Sequence, residues 1–212
     1  MNKHSLKQLQ TFLLLWGSQT VSQLGTAMTD YAIIIWVYSQ KGTASSVTLL
    51  TVCTFLPTIF FRFLAGSAVD RWNKKRIMLI ADLLAACGTL AVFALHSTDV
   101  LQIWHLYVIN FLLSLMNAFQ EPASFVAVSM LVPKEQYARA GGLQGFSGAA
   151  VSILAPALGA ILLAAGGLDL VLMIDLSTFA FAFLVLLFLI RIPEAERQET
   201  KEEPFETTEK VS

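Results

Sequence analysis

The chain has 212 residues, 56% hydrophobic and 14% charged, with a mean hydropathy of +0.66 and a net charge of −1. A soluble domain carries about a quarter charged residues, so this composition excludes an ordinary soluble enzyme and leaves little room for a soluble domain beside a membrane part. Both cysteines, Cys53 and Cys87, fall within apolar stretches and read as packing residues rather than a disulfide or a metal pair.

An apolar run of roughly 20 residues crosses a bilayer as a helix. Six such runs are predicted, at about 12–38, 46–68, 77–95, 101–122, 142–165 and 170–190. They are too long and too continuously apolar for barrel strands, and in lipid only helices or closed barrels satisfy the backbone. The expected class is an all-α polytopic membrane protein. The start, Met-Asn-Lys-His-Ser-Leu-Lys, leads into a long first helix with no small-residue cleavage site, so no removable signal peptide is expected.

Helix 1 carries Asp30, with Gln23 and Thr26 on the same face by three-to-four spacing. A carboxylate at bilayer depth costs at least ~2.5–3.5 kcal/mol on insertion scales, so Asp30 is a candidate proton or substrate site. A structural hydrogen bond to another helix is the plainer explanation. Helix 2 ends in the basic loop Gly66-Ser-Ala-Val-Asp70-Arg71-Trp-Asn73-Lys74-Lys75-Arg76, preceded by Arg62, which is expected to reach toward the interface. Lys74 to Arg76 open helix 3 against its dipole. Asn73 is expected to reverse the chain, because Asn tolerates positive φ.

Helix 4 carries Asn110, Asn117, Gln120 and Glu121 and is therefore expected to line a cavity. Glu121 is the second candidate proton or substrate site, against the plainer reading of an interfacial side chain reaching water. Helix 5 presents small residues at Gly141, Gly145, Gly148, Ser152 and Gly159, a face suited to close helix packing. Pro156 removes a backbone hydrogen bond and is expected to kink the helix. Asp175 is expected to stabilise the start of helix 6. Residues 191–212 are rich in Glu without apolar periodicity and read as an acidic tail or linker.

Of the 14 Lys and Arg residues, only Lys41 falls outside if the N-terminus is cytoplasmic. That asymmetry predicts both termini on the cytoplasmic side. Trp36, Tyr38, Trp104 and Tyr107 then mark the outer interface, with Trp16 and Trp72 at the inner one.

The loop after helix 2 resembles the Gly-x-Leu-Ala-Asp-Arg-x-Gly-Arg-Lys pattern of the major facilitator superfamily of transporters. Gly66, Asp70, Arg71 and Lys75 match it, Lys74 stands for Arg, and Asn73 replaces the second Gly. Helix 5 is similar to an antiporter-type motif at Gly142, Pro156 and Gly159, with Val151, Ala155 and Ala160 departing. The stretches from Glu121-Pro122-Ala123 to Arg139-Ala140-Gly141, and Ile174-Asp175-Leu176-Ser177-Thr178, look like the macrolide-efflux-like, drug:proton antiporter branch. Helix 4 lacks the Arg-based motif of many proton antiporters, which leaves coupling to other carboxylates.

The resemblance implies one half of the superfamily fold, a 3+3 inverted repeat of six helices. It also implies an inner gate at Gly66, Asp70, Arg71, Lys74 and Lys75. The implied function is export of drug-like, macrolide-type compounds, proton-coupled and by alternating access in a bacterial cytoplasmic membrane. The implied partners are lipid, a small-molecule substrate and a second six-helix half: a separate chain, a missing continuation or a homodimer copy. The alternative is a non-transporting membrane fragment or regulatory partner.

No motif points to a cofactor, a metal or nucleic acid. Gly145-Phe-Ser147-Gly148 has the form of a rhomboid-protease nucleophile, but Ser needs an adjacent base. The histidines His96 and His105 are expected at the opposite face, and no His follows Ser147. An enzyme is therefore not expected.

Overall fold

The computed structural model describes residues 3–190. The expected tail at 191–212 lies outside the described residues. Within them the chain is entirely helical: α1 (Lys3–Lys41), α2 (Ala44–Arg71), α3 (Lys74–Ser97), α4 (Ile103–Leu131) and α5 (Tyr137–Leu184), followed by a π-helical turn at Val185–Leu189. Four of these helical runs are long and apolar enough to cross a membrane: Ala44–Gly66, Lys74–Ser97, Ile103–Leu131 and Tyr137–Leu189. The molecule is an integral membrane protein.

Five α-helices form where six are expected, because the last two expected runs join as α5. Gly166 and Gly167 break α5 from within, and Gly167 has φ +69°, ψ −169°. Only glycine adopts that backbone without strain. The break falls in the expected 166–169 connection. The two arms also run in opposite directions. Ser147 meets Trp16, and Gly159 packs on Met28, so the first arm runs alongside α1 in the same sense. Asp175 meets Thr26, and Ile190 shares a cluster with Phe12, so the second arm returns.

Other boundaries shift as well. α4 runs through Pro122 to Leu131, nine residues beyond its expected end at 122. The residues of α5 that leave helical geometry are Gly166 and Gly167, not the expected Pro156. Asn73 has φ −69°, so it turns the chain without positive φ; its Oδ1 instead caps α3 by accepting from the Arg76 N–H at 3.2 Å.

α1 packs mainly on both arms of α5, and α2 packs on α4. This explains why α1 carries polar residues and is absent from the apolar spans: its partners are protein. Two apolar clusters hold the bundle. One, at the motif end, gathers Phe12, Leu15, Met78, Leu131 and Ile190. The other gathers Val37, Leu50, Leu106, Val171 and Leu172. Between them lies a belt of buried polar side chains that includes Ser22, Thr29, Asp82, Ser114, Ser147 and Asp175. Lipid provides no hydrophobic drive for helix association, so close packing and interhelical hydrogen bonds carry it. Thr58 on α2 and Ser114 on α4 show the pattern, with hydroxyls 2.6 Å apart and the Ser114 hydroxyl also donating to the Thr54 carbonyl.

Candidate functional site

Asp30 is exposed on α1 and borders a cavity of about 120 Å³. Ile33, Ile34, Leu50, Thr51, Thr54, Phe55 and Asn110 complete its wall. The cavity is thus built between α1, α2 and α4, mostly apolar with a few polar groups, and is smaller than the roughly 300–1,000 Å³ of a drug-sized ligand pocket. Asn110 is there as expected, although its own amide donates to the Leu106 carbonyl at 2.8 Å.

Glu121 pairs with Arg62 across the α2–α4 seam. Arg62 therefore does not simply reach to the interface, as its position suggested. Both side chains are more than half exposed, at 54% and 63%. Two exposed charges on apolar spans cannot face hydrocarbon at low cost. The α2–α4 face that carries them is one that meets water or protein.

The basic motif is split between two helices. Gly66, Asp70 and Arg71 occupy the last turns of α2, while Lys74 and Lys75 open α3. The side chains of Asp70 and Arg71 lie outside the described part of the structure. Lys75 Nζ donates to the Ile190 carbonyl at 2.6 Å and to the Leu187 carbonyl at 3.0 Å. It thereby satisfies carbonyls that a helix end leaves open and sits favourably on the negative end of that helix. The motif is tied to the close of the bundle's last helix.

In α5, a Cβ added at Gly159 would come within 3.1 Å of the Met28 carbonyl oxygen, so this glycine sets the approach of α1. Gly141, Gly142, Gly145 and Gly148 have open space instead, so the expected small-residue face packs on α1 only at its Gly159 end. Ser147 is 5% exposed, accepts from Trp16 Nε1 and donates to the Gln144 carbonyl. It is a packing hydroxyl. His96 pairs with Asp169, and His105 caps α4.

Two buried carboxylates carry more of the structure than the sequence suggested. Asp175 does not stabilise a helix start; it is 3% exposed, with Thr26 donating to Oδ1 at 3.2 Å and Thr89 to Oδ2 at 3.1 Å. Asp82 on α3 is 6% exposed and accepts from Gln19 on α1 and Gln120 on α4. Gln120 therefore faces the bundle core rather than the cavity. Asp82 escaped the sequence reading, though the same rule that singled out Asp30, an acid inside an apolar run, applies to it.

The sequence profile of the Major Facilitator Superfamily matches residues 15–212. The chain is 30% identical over 195 residues to macrolide efflux protein A of Streptococcus pyogenes, covering 92% of this chain and 47% of that protein. It is 27% identical over 190 residues to the uncharacterized MFS-type transporter YkuC of Bacillus subtilis, covering 89% and 44%. It is 28% identical over 185 residues to the multidrug efflux pump Tap of Mycobacterium bovis, covering 82% and 43%. The chain spans about half the length of the curated relatives it matches. With an all-helical bundle, apolar spans and the Gly66–Lys75 motif at the α2–α3 turn, the chain belongs to the Major Facilitator Superfamily, a family of transporters and not of enzymes.

Proposed function

We propose that this chain acts as the N-terminal six-helix half of a secondary exporter of drug-like compounds of the macrolide type, driven by protons. The opposed arms of α5 support counting two spans there, which gives six with α1 to α4. Three helices then stand against three as an inverted repeat. The observations that carry the reading are the Arg62–Glu121 pair, exposed within apolar helices, and the Asp30 cavity. Together they suit a second bundle and a central substrate cavity. The motif end, which gathers the basic residues, is read as cytoplasmic, with both termini on that side.

In this reading the bundle rocks against its partner and exposes the cavity to each side in turn. Asp30 takes up the proton or the cationic group of a substrate. Glu121 exchanges Arg62 for such a group. Asp70, Arg71, Lys74 and Lys75 bias the inner gate, with Lys75 fastening it to the last helix. Gly159 shapes the α5 face beside α1, and Gly142 and Pro156 complete the antiporter-like motif on the same arm. The test is efflux from cells or vesicles that contain this chain together with a second six-helix half. Asp30→Asn should abolish gradient-driven export while membrane levels hold. Export at the unsubstituted rate removes Asp30 from the mechanism.

A further inference from the structure

Asp175 lies where α1, α3 and the second arm of α5 meet, 3% exposed and inside an apolar span. No ion pair among the described residues involves it. An isolated charge at such depth is costly unless something of opposite sign compensates it. What surrounds the carboxylate is a set of hydroxyls. Thr26 and Thr89 reach separate carboxylate oxygens from α1 and α3. Thr29, one turn along α1, is 5% exposed, and its hydroxyl lies beside the same carboxylate but outside hydrogen-bond geometry. It is a buried polar atom with no partner among the described residues. Such an atom calls for a ligand.

The backbone also closes tightly here. A Cβ at Gly25 would sit 3.0 Å from Asp175 Oδ1 and 2.3 Å from Thr178 Oγ1, so the carboxylate is pressed against α1. Thr178 Oγ1 is itself engaged, donating to the Asp175 carbonyl at 2.9 Å.

We propose that Asp175, Thr26, Thr29 and Thr89 form a binding site for one sodium ion at the junction of α1, α3 and α5, with the exposed Thr26 at its rim. Carboxylate and hydroxyl oxygens are hard ligands and suit a hard cation. Asp175 is the one carboxylate among the proposed ligands and supplies a single negative charge, which suits a monovalent ion; Asp30, near enough on α1 to interact with it electrostatically, borders the neighbouring cavity. A proton needs only the carboxylate, whereas three converging hydroxyls from two other helices give an ion its oxygen shell. The bound ion compensates Asp175 and pins three helices together. The site is separate from the Asp30 cavity, although Thr26 and Asp30 are one helical turn apart, and sodium binding to this chain does not depend on export.

The test is thermal unfolding of the purified full chain in detergent, in sodium chloride against potassium and choline chloride at equal ionic strength. A ligand that binds only the folded state raises Tm with concentration, by about 3 °C at ten times its dissociation constant for a chain of this size. Sodium should raise Tm in this way, while choline does not and potassium does so far less. Asp175→Asn keeps the shape and should remove the sodium response. Thr29→Val, nearly isosteric, should weaken that response by about tenfold or more in sodium concentration; a packing role alone would leave it unchanged. Equal Tm in the three salts, or a sodium response that survives Asp175→Asn, overturns the site. Because the readout is binding, its failure leaves the export reading standing, and loss of export leaves the site standing.

Discussion

Arg62 and Glu121 show what a charge in an apolar helix requires of its surroundings. Each is partnered by the other across the α2–α4 seam, with both side chains more than half exposed. The pair should therefore be non-additive by about 0.2–1 kcal/mol, the range of exposed ion pairs. Arg62→Ala is expected to destabilise the chain more than the double change Arg62→Ala with Glu121→Ala, because the single change strands a carboxylate. Thermal unfolding in detergent, followed by size-exclusion recovery, checks this. A double variant as unstable as the sum of the two single variants would mean that the pair contributes nothing as a pair. Asp82 obeys the same rule by another route, taking carboxamide donors in place of a cation.

At the scale of elements, α1 is the organising helix. It lies between the two arms of α5, and its polar residues meet partners there: Trp16 with Ser147, and Thr26 with Asp175. Gly159 allows α5 to touch the α1 backbone at Met28. Gly159→Leu should force the helices apart and cost about 1–3 kcal/mol by overpacking. At roughly 2–4 °C per kcal/mol for this chain length, Tm should fall by several degrees. Gly145→Leu, facing open space, should leave Tm nearly unchanged. Equal losses at both sites would show that the contact at Met28 does not set the packing. The reversal at Gly166–Gly167 works at the same scale, since it lets α5 flank α1 on two sides.

For the whole molecule, the distribution of exposed side chains separates two kinds of surface. α3 presents Ile80, Leu83, Leu84 and Leu90 outward, an apolar face suited to lipid. α2 and α4 present Arg62, Glu121 and Asn117 among exposed apolar side chains such as Ile59, Phe63, Leu112 and Phe125, a charged strip that we read as suited to water or a second bundle. After replacement of Cys53 and Cys87, a cysteine at position 62 should react with a water-soluble maleimide in membranes. A cysteine at position 83 should not. Reaction of both, or of position 83 alone, would contradict this division.

The sequence by itself determined the membrane class, the breaks near Trp72–Asn73 and Gly166–Gly167, and the basic motif. Those properties follow from local composition: a long apolar run has one low-energy fate in lipid, and the Gly166–Gly167 and Trp72–Asn73 breaks interrupt such runs. It also marked Asp30, Glu121 and the helix-5 glycines as unusual. Only the tertiary structure decided what each unusual residue meets. Arg62 found Glu121 59 residues away, Asp175 found Thr26 149 residues away, and Lys75 found the end of the last helix. A buried charge is visible in sequence as a cost, but the group that offsets it sits on another helix. Which helix that is depends on how the whole bundle packs, and no local pattern encodes it.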